Sequence, residues 1–340
     1  MTKHLWILLV LMATATSFAQ TKEIKLATIA PAGSSWDKIT TKMNEELKAR
    51  TAGKLAFRVY PGGTQGDEKD VVRKMRIGQI HAGGFTGFGL GLMASPVRVV
   101  ELPVLYQNYE EVDYVESRVL PEMEAVFLKG NPPVVFLGWS EAGFVYVFSK
   151  KPVKNVPDLR TAKAWLWEGD QQVERAYKAL GVSPIPLQVP DVMTALSTNM
   201  IDTVYVPPLG AIALQWNSKV EYMLDFPLGL SAGGMVMLKS EFDKLPPDQK
   251  KILKEVAAKY TREMVTQSRK DNAQAIEEMK RLGLKVVSGT DADRIEFSTL
   301  IKKIWKEQVG VLYSAEQLDR IEKLIAEVRA KGQSASAQLH

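Results

Sequence analysis

A two-lobed α/β fold is what the patterning of this chain predicts, on three observations. Strand-length and helix-length apolar patterns alternate in two separate stretches, one from Glu23 and one from Pro133, as in parallel sheets with right-handed crossovers. The chain has 340 residues, more than a single hydrophobic core usually holds. A third observation is the helical pattern from Pro247 to Leu282. At ~1.5 Å per residue it would exceed ~50 Å and outrun one lobe. Such a helix bridges lobes, bends, or packs a partner.

The elements follow in order. Glu23 to Ile29 reads as a strand, and Ala30-Pro31-Ala32-Gly33 as a loop. Ser34 or Ser35 can cap a helix whose apolar face is Trp36, Ile39, Met43 and Leu47, with Gly53 as its stop. Leu55 to Val59 is a second strand, a helix starts near Asp67, and a strand near Gln79 to Phe85 completes a βαβαβ unit. In such sheets ligands bind beyond the carboxyl ends of the strands, where helix N-termini gather. The second unit is predicted as strands Val134 to Trp139, Phe144 to Phe148 and Lys163 to Trp167 and a helix Gln171 to Leu180. A strand Ile185 to Leu187, a helix Asp191 to Thr198 and a strand Thr203 to Val206 complete it. The chain then returns to the first lobe through Trp216 to Leu238. Lobe I is therefore expected over 20–137 plus 215–250 and lobe II over 138–214 plus 255–290. The bridging helix spans 247–282, C-terminal helices 291–330, and a small, polar, disordered tail 331–340.

Composition narrows the function. Lys3 and His4, the apolar run Leu5 to Met12 and Ser17-Phe18-Ala19 have the shape of a secretory signal peptide over residues 1–19. Its apolar run is far below the ~20 residues that span a bilayer. Export to the periplasm is the expectation. The chain has no Cys, which removes disulfides and thiolate catalysis, and its three His are too few and too scattered for a His-based metal site or triad. The net charge of +5 comes from interleaved charges without a basic stripe, so no nucleic-acid partner is expected. No G-x-S-x-G or H-E-x-x-H motif occurs, which counts against an exported hydrolase.

Several separated motifs carry a family resemblance. They are the strand-loop-helix Thr28 to Trp36, the turn Tyr60-Pro61-Gly62-Gly63-Thr64-Gln65-Gly66-Asp67-Glu68, and Met75-Arg76-Ile77-Gly78-Gln79-Ile80-His81-Ala82. Further along come SKKPVKNVPDLRTAKAWLWEGD at 149–170 with Gly181 to Leu187, and Thr194 to Asp202. In order and spacing the chain, over about 22–325, resembles the substrate-binding proteins of TRAP transporters (tripartite ATP-independent periplasmic transporters), of the dicarboxylate-binding type. The resemblance implies a bilobal periplasmic-binding-protein fold, α/β in both lobes, with a hinge and a long bridging helix. It also implies a binder without cofactor, and not an enzyme, that captures a small-molecule ligand and delivers it to small and large TRAP membrane subunits driven by an ion gradient.

Three departures fall on the polar positions of that pattern. The Arg that pairs with a ligand carboxylate aligns with Trp165, the Arg of the preceding strand with Val145, and the Asn after the Asp-Gly step with Val206. Arg suits carboxylates because its planar fork makes two charge-assisted bonds, and a buried carboxylate without such a partner costs several kcal/mol. An apolar, aromatic cavity is expected instead, built from Trp165, Trp167, Phe144, Val145, Tyr146, Val189, Tyr205 and Val206. Glu68, Trp36, Phe85 and Phe88 are added from the first unit; the last two sit in the loop Gly83 to Gly91, whose spacing is not a dinucleotide fingerprint. Burying ~500 Å² of apolar ligand surface is worth ~12 kcal/mol gross, against association costs of at least ~4 kcal/mol. A hydrophobic or amphipathic ligand follows. The departures resemble the branch of the family that works with a periplasmic TPR-repeat partner.

Other readings stand beside this one. Trp165, Trp167 and Trp36 also suit ordinary core positions, and Glu68 a helix N-terminus. Arg160 and Lys163 are nearby cations, and strand alternation points Lys163 the same way as Trp165. An organic-acid binder using a different cation, or a ligand-sensing input protein for a receptor, therefore stays open.

Overall fold

The computed structural model describes residues 21–337. The signal-peptide reading of 1–19 lies outside the described residues. Strand β1 (Lys22–Thr28), helix Ser35–Arg50, β2 (Leu55–Tyr60), helix Glu68–Arg76 and β3 (Ala82–Thr86) form the first unit. β1 pairs in parallel with both β2 and β3 and is central. Ser34 is the cap of the first helix, its side chain accepting from the Asp37 N–H, and Ile39, Met43 and Leu47 form the buried stripe. Past β3 the backbone turns into the helix Gly87–Met93, so the stretch expected as a glycine-rich loop is largely helical. A 3₁₀ segment Ser95–Glu101 and the helix Tyr109–Leu128 follow.

Next is β4 (Val134–Ser149), one continuous strand of 16 residues where two were expected. The step Ser140-Glu141-Ala142-Gly143 separates the two expected strands. The ladder instead passes through it as a bulge between Glu141 and Gly143. Two features allow this. Gly143 takes φ +112°, and a Cβ there would meet the Asn272 amide of the long helix at 2.4 Å. The buried Glu141 carboxylate is held by Arg269 at 2.6 Å.

The second unit contains β5 (Trp165–Trp167), helix Gln171–Leu180, β6 (Ile185–Leu187), helix Val189–Ser197 and β7 (Thr203–Val206), followed by β8 (Tyr222–Leu224), β9 (Gly229–Leu238) and β10 (Lys285–Val287). One sheet runs β10-β8-β4-β9-β3-β1-β2, with β7 also on β4, and β5-β6 form a separate parallel pair. β4 links the two lobes of this α/β fold, because its first part pairs with β9 and its end with β7 and β8.

The helix Pro247–Arg281 has 35 residues, about 50 Å of axis. Its Leu253, Val256 and Tyr260 belong to the core of the first unit, with Ile24, Met43 and Leu47, while Met279 packs with Phe148, Leu196 and Trp216 of the second. Helix Asp291–Glu307 and a last helix Ala315–Ala337, which extends past the expected end at 330, close the chain.

Candidate functional site

A cavity of about 290 Å³ lies where the carboxyl ends of β1 and β3 face β5, β7 and the N-terminus of helix Gln171–Leu180. That is at the lower edge of the size range of small-molecule sites and roughly twice the ~150 Å³ cavity that holds benzene. Ten of the twelve expected residues line it: Trp165, Trp167, Val145, Val189, Tyr205, Val206, Glu68, Trp36, Phe85 and Phe88. Phe144 and Tyr146 do not. Alternation along β4 turns them away from the side that shows Val145 and Val147. Phe144 meets Tyr109 at 4.7 Å, and Tyr146 packs into the surrounding core.

The aromatic wall is built around Trp165. Its ring stacks on Tyr205 at 4.8 Å and meets Trp216 edge-on at 5.2 Å, and its Nε1–H donates to the Leu187 carbonyl at 2.9 Å. Trp167 contacts Phe88 at 4.9 Å and donates to both oxygens of Asp67 at 3.0 and 3.1 Å. Asp67 also accepts from the Val189 N–H at 2.8 Å, so this first-unit helix cap is tied into the second unit. The expectation of a charge contact from Arg160 or Lys163 is corrected. Neither lines the cavity, since Arg160 donates to the Leu180 carbonyl and Lys163 to that of Asn199.

Sequence reasoning missed the polar cluster at the other side of the cavity. Arg98, from the 3₁₀ segment, donates to both oxygens of Asp170 at 3.1 and 3.0 Å and lies 3.4 Å from Glu101. All three are buried. Among the described residues Arg98 is the only Lys or Arg lining the cavity, and two carboxyl groups already claim it. The pairing spans 72 positions, so no local pattern announces it. Burial pushes the Glu101 carboxyl up to about 7, against the opposing pull of Arg98.

Glu68 accepts from the Thr86 N–H at 2.7 Å, the Thr86 hydroxyl at 2.8 Å and the Gly89 N–H at 2.8 Å. Its carboxyl fastens the helix Gly87–Met93, which carries Phe88, to the helix Glu68–Arg76. Burial outweighs these donors and pushes Glu68 up to about 8. Between the ordinary value of 4.5 and about 8 the folded state holds a proton that the unfolded chain has lost. Stability therefore falls as pH rises through that window, by up to a few kcal/mol (roughly 1.4 per pKa unit). Thermal unfolding followed from pH 5 to 8 should show this decline, and Glu68→Gln should make it shallower, with Glu101 contributing part of what remains. A variant with the wild-type slope would remove Glu68 as the cause.

The comparisons place this geometry. The model of the family "Bacterial extracellular solute-binding protein, family 7" matches residues 26–310. The chain is 29% identical over 269 residues to the 2,3-diketo-L-gulonate-binding periplasmic protein of Escherichia coli strain K12, covering 76% of this chain and 77% of that one. Among solved structures, a TRAP periplasmic solute-binding protein of Xanthobacter autotrophicus Py2 with bound β-D-galacturonate has TM-score 0.82 at 19% identity, covering 89% of this chain and 99% of that one. Another, from Ralstonia eutropha H16 with bound (S)-2-acetolactate, has TM-score 0.82 at 22% identity, covering 90% and 99%. With a family model spanning most of its length, the chain belongs to family 7 of the bacterial extracellular solute-binding proteins, the periplasmic solute-binding proteins of TRAP transporters.

Proposed function

We propose that this chain is exported to the periplasm, closes on an apolar or amphipathic solute between its lobes, and presents it to TRAP membrane subunits. One observation carries the ligand class: Trp165 fills the position where the family pattern has a carboxylate-binding Arg, and the cavity's own Arg98 is spent on Asp170 and Glu101. A ligand carboxylate would enter a site whose cation is neutralised and whose neighbours are acids, at a desolvation cost of several kcal/mol. The aromatic wall favours apolar surface. The lining also draws apolar residues from all three core clusters, Met264, Phe297 and Trp165 among them. A TPR-repeat partner rests on the resemblance alone.

A second reading has an observation in its favour. Structural neighbours were solved with acids bound, and Arg98 is a guanidinium inside the cavity. It requires Asp170 to give up Arg98 to the ligand. Native mass spectrometry of the purified protein followed by organic extraction, with thermal shifts against C4-dicarboxylates, hexuronates and medium-chain lipids, separates the two. The expected result is a co-purifying apolar molecule and stabilisation by lipids only. Stabilisation by the acids and not by the lipids would falsify the apolar reading.

A further inference from the structure

We infer that Asp67 is a latch across the ligand cleft: a positioning residue for capture, whose carboxylate, carried by the first unit, holds the second unit closed over the cavity. Asp67 does not itself line the cavity, but Trp167 and Val189, which it holds, both do. The latch works the same way for an apolar or an acidic ligand. Asp67 is the cap of the helix Glu68–Arg76 and accepts from the Glu68 N–H. Its remaining contacts lie 100 and 122 positions away, where it accepts from the Trp167 indole at 3.0 and 3.1 Å and from the Val189 N–H at 2.8 Å. Trp167 ends β5 and Val189 follows β6, so one carboxylate meets the ends of both strands of the β5-β6 pair.

Three features give this contact a role beyond capping its own helix. The helix Val189–Ser197 has no side-chain cap from its own chain neighbour, Gln188, and Pro190 carries no N–H, so its first donor points outward from Val189. Asp67 supplies the missing acceptor from the other unit, and its charge meets the positive end of that helix. The bonds are also made away from water, since Asp67 is 1% exposed and Trp167 and Val189 are buried, and there a charge-assisted bond is strong. Finally, the Trp167 ring rests on Phe88 of the first unit at 4.9 Å. The Lys69–Glu168 pair beside it, 3.5 Å and about half exposed, joins the same two units and adds little. Opening the cleft on this side breaks these contacts together.

The chain has no Cys, so two spin labels can be placed at chosen sites. Arg73→Cys and Thr194→Cys are exposed positions on the two helices that Asp67 joins. Double electron–electron resonance between them is measured on protein washed free of small molecules in guanidinium and refolded. With Asp67 in place, a short-distance population is expected. Asp67→Ser keeps a good cap for its own helix but is one atom too short to reach the second unit, and should lower the ratio of short to long distances at least about tenfold. Val189→Pro deletes the donor from the other side, at a first helical position where proline is favoured and after a Gln188 already extended at φ −75°, ψ 152°. It should shift the ratio the same way and add little to Asp67→Ser. Only long distances with Asp67 in place, or a distribution that Asp67→Ser leaves unmoved, would overturn the latch. Should circular dichroism show Asp67→Ser unfolded, Val189→Pro decides by the same criterion.

Discussion

Replacing Arg98 by Met is expected to cost about 3–5 kcal/mol of stability, among the largest effects of any single side chain in the cavity wall. Arg98 is 6% exposed and stands between Asp170 and Glu101. Its removal strands two buried carboxyl groups without their cation. The loss is larger than the worth of the pair itself, because an unpartnered buried charge is penalised in full while a satisfied pair only roughly offsets its own desolvation. Asp170→Asn added to Arg98→Met should therefore recover a substantial part of the loss, the signature of direct coupling in a double-mutant cycle. Urea unfolding of the four proteins, followed by far-ultraviolet circular dichroism at pH 8, measures this. A single-variant cost below about 1 kcal/mol, or additive effects, would show that Arg98 is not committed to these acids and is free to meet a ligand.

This cluster also shows where the chain was legible as a string of letters and where it was not. Local features came through. A serine cap at Ser34 or Ser35, which the structure gives to Ser34, the Ile39-Met43-Leu47 stripe and the helix Pro247–Arg281 each follow from spacings within a few turns. The positions of Trp165, Val145 and Val206 in the cavity wall came from motif alignment, which transfers geometry that spacing alone does not contain. Phe144 and Tyr146 face away because the two-residue alternation at the end of β4 turns Val145 and Val147 to the cavity, which β4 also lines through Ser140, Glu141 and Ala142 beside the bulge. The split of β4 into two strands failed for a different reason. A buried Glu141 is incompatible with a strand core until its partner is known, and Arg269 lies 128 positions away. The helix Tyr109–Leu128 carries Pro121 at mid-length, which blurs its pattern. Arg98 had no sequence signal, because a neutralised cation is a property of long-range pairing.

Trp165→Arg should invert the ligand preference of the protein. The indole is 2% exposed and makes three ring contacts, with Tyr205, Trp216 and Trp167, and one hydrogen bond, to Leu187. Losing that packing costs on the order of 3–5 kcal/mol, and the incoming guanidinium finds Asp170 already held by Arg98. The unloaded variant should therefore unfold at clearly lower temperature than the wild type. Its second Arg, however, leaves the cavity with a cation that no protein carboxylate neutralises, which is the condition a ligand carboxylate needs. A ligand that binds only the folded state raises stability by RT ln(1 + [L]/Kd), about 2.7 kcal/mol at a hundredfold excess over Kd. Succinate or D-galacturonate should then raise the unfolding temperature of Trp165→Arg and leave the wild type unmoved, while 1-decanol does the reverse. Identical responses of the two proteins to both classes would mean that the Trp165 position does not set the ligand. A wild type already stabilised by the acids would instead return Arg98 to the role of ligand-binding cation, with Asp170 as the group that must let it go.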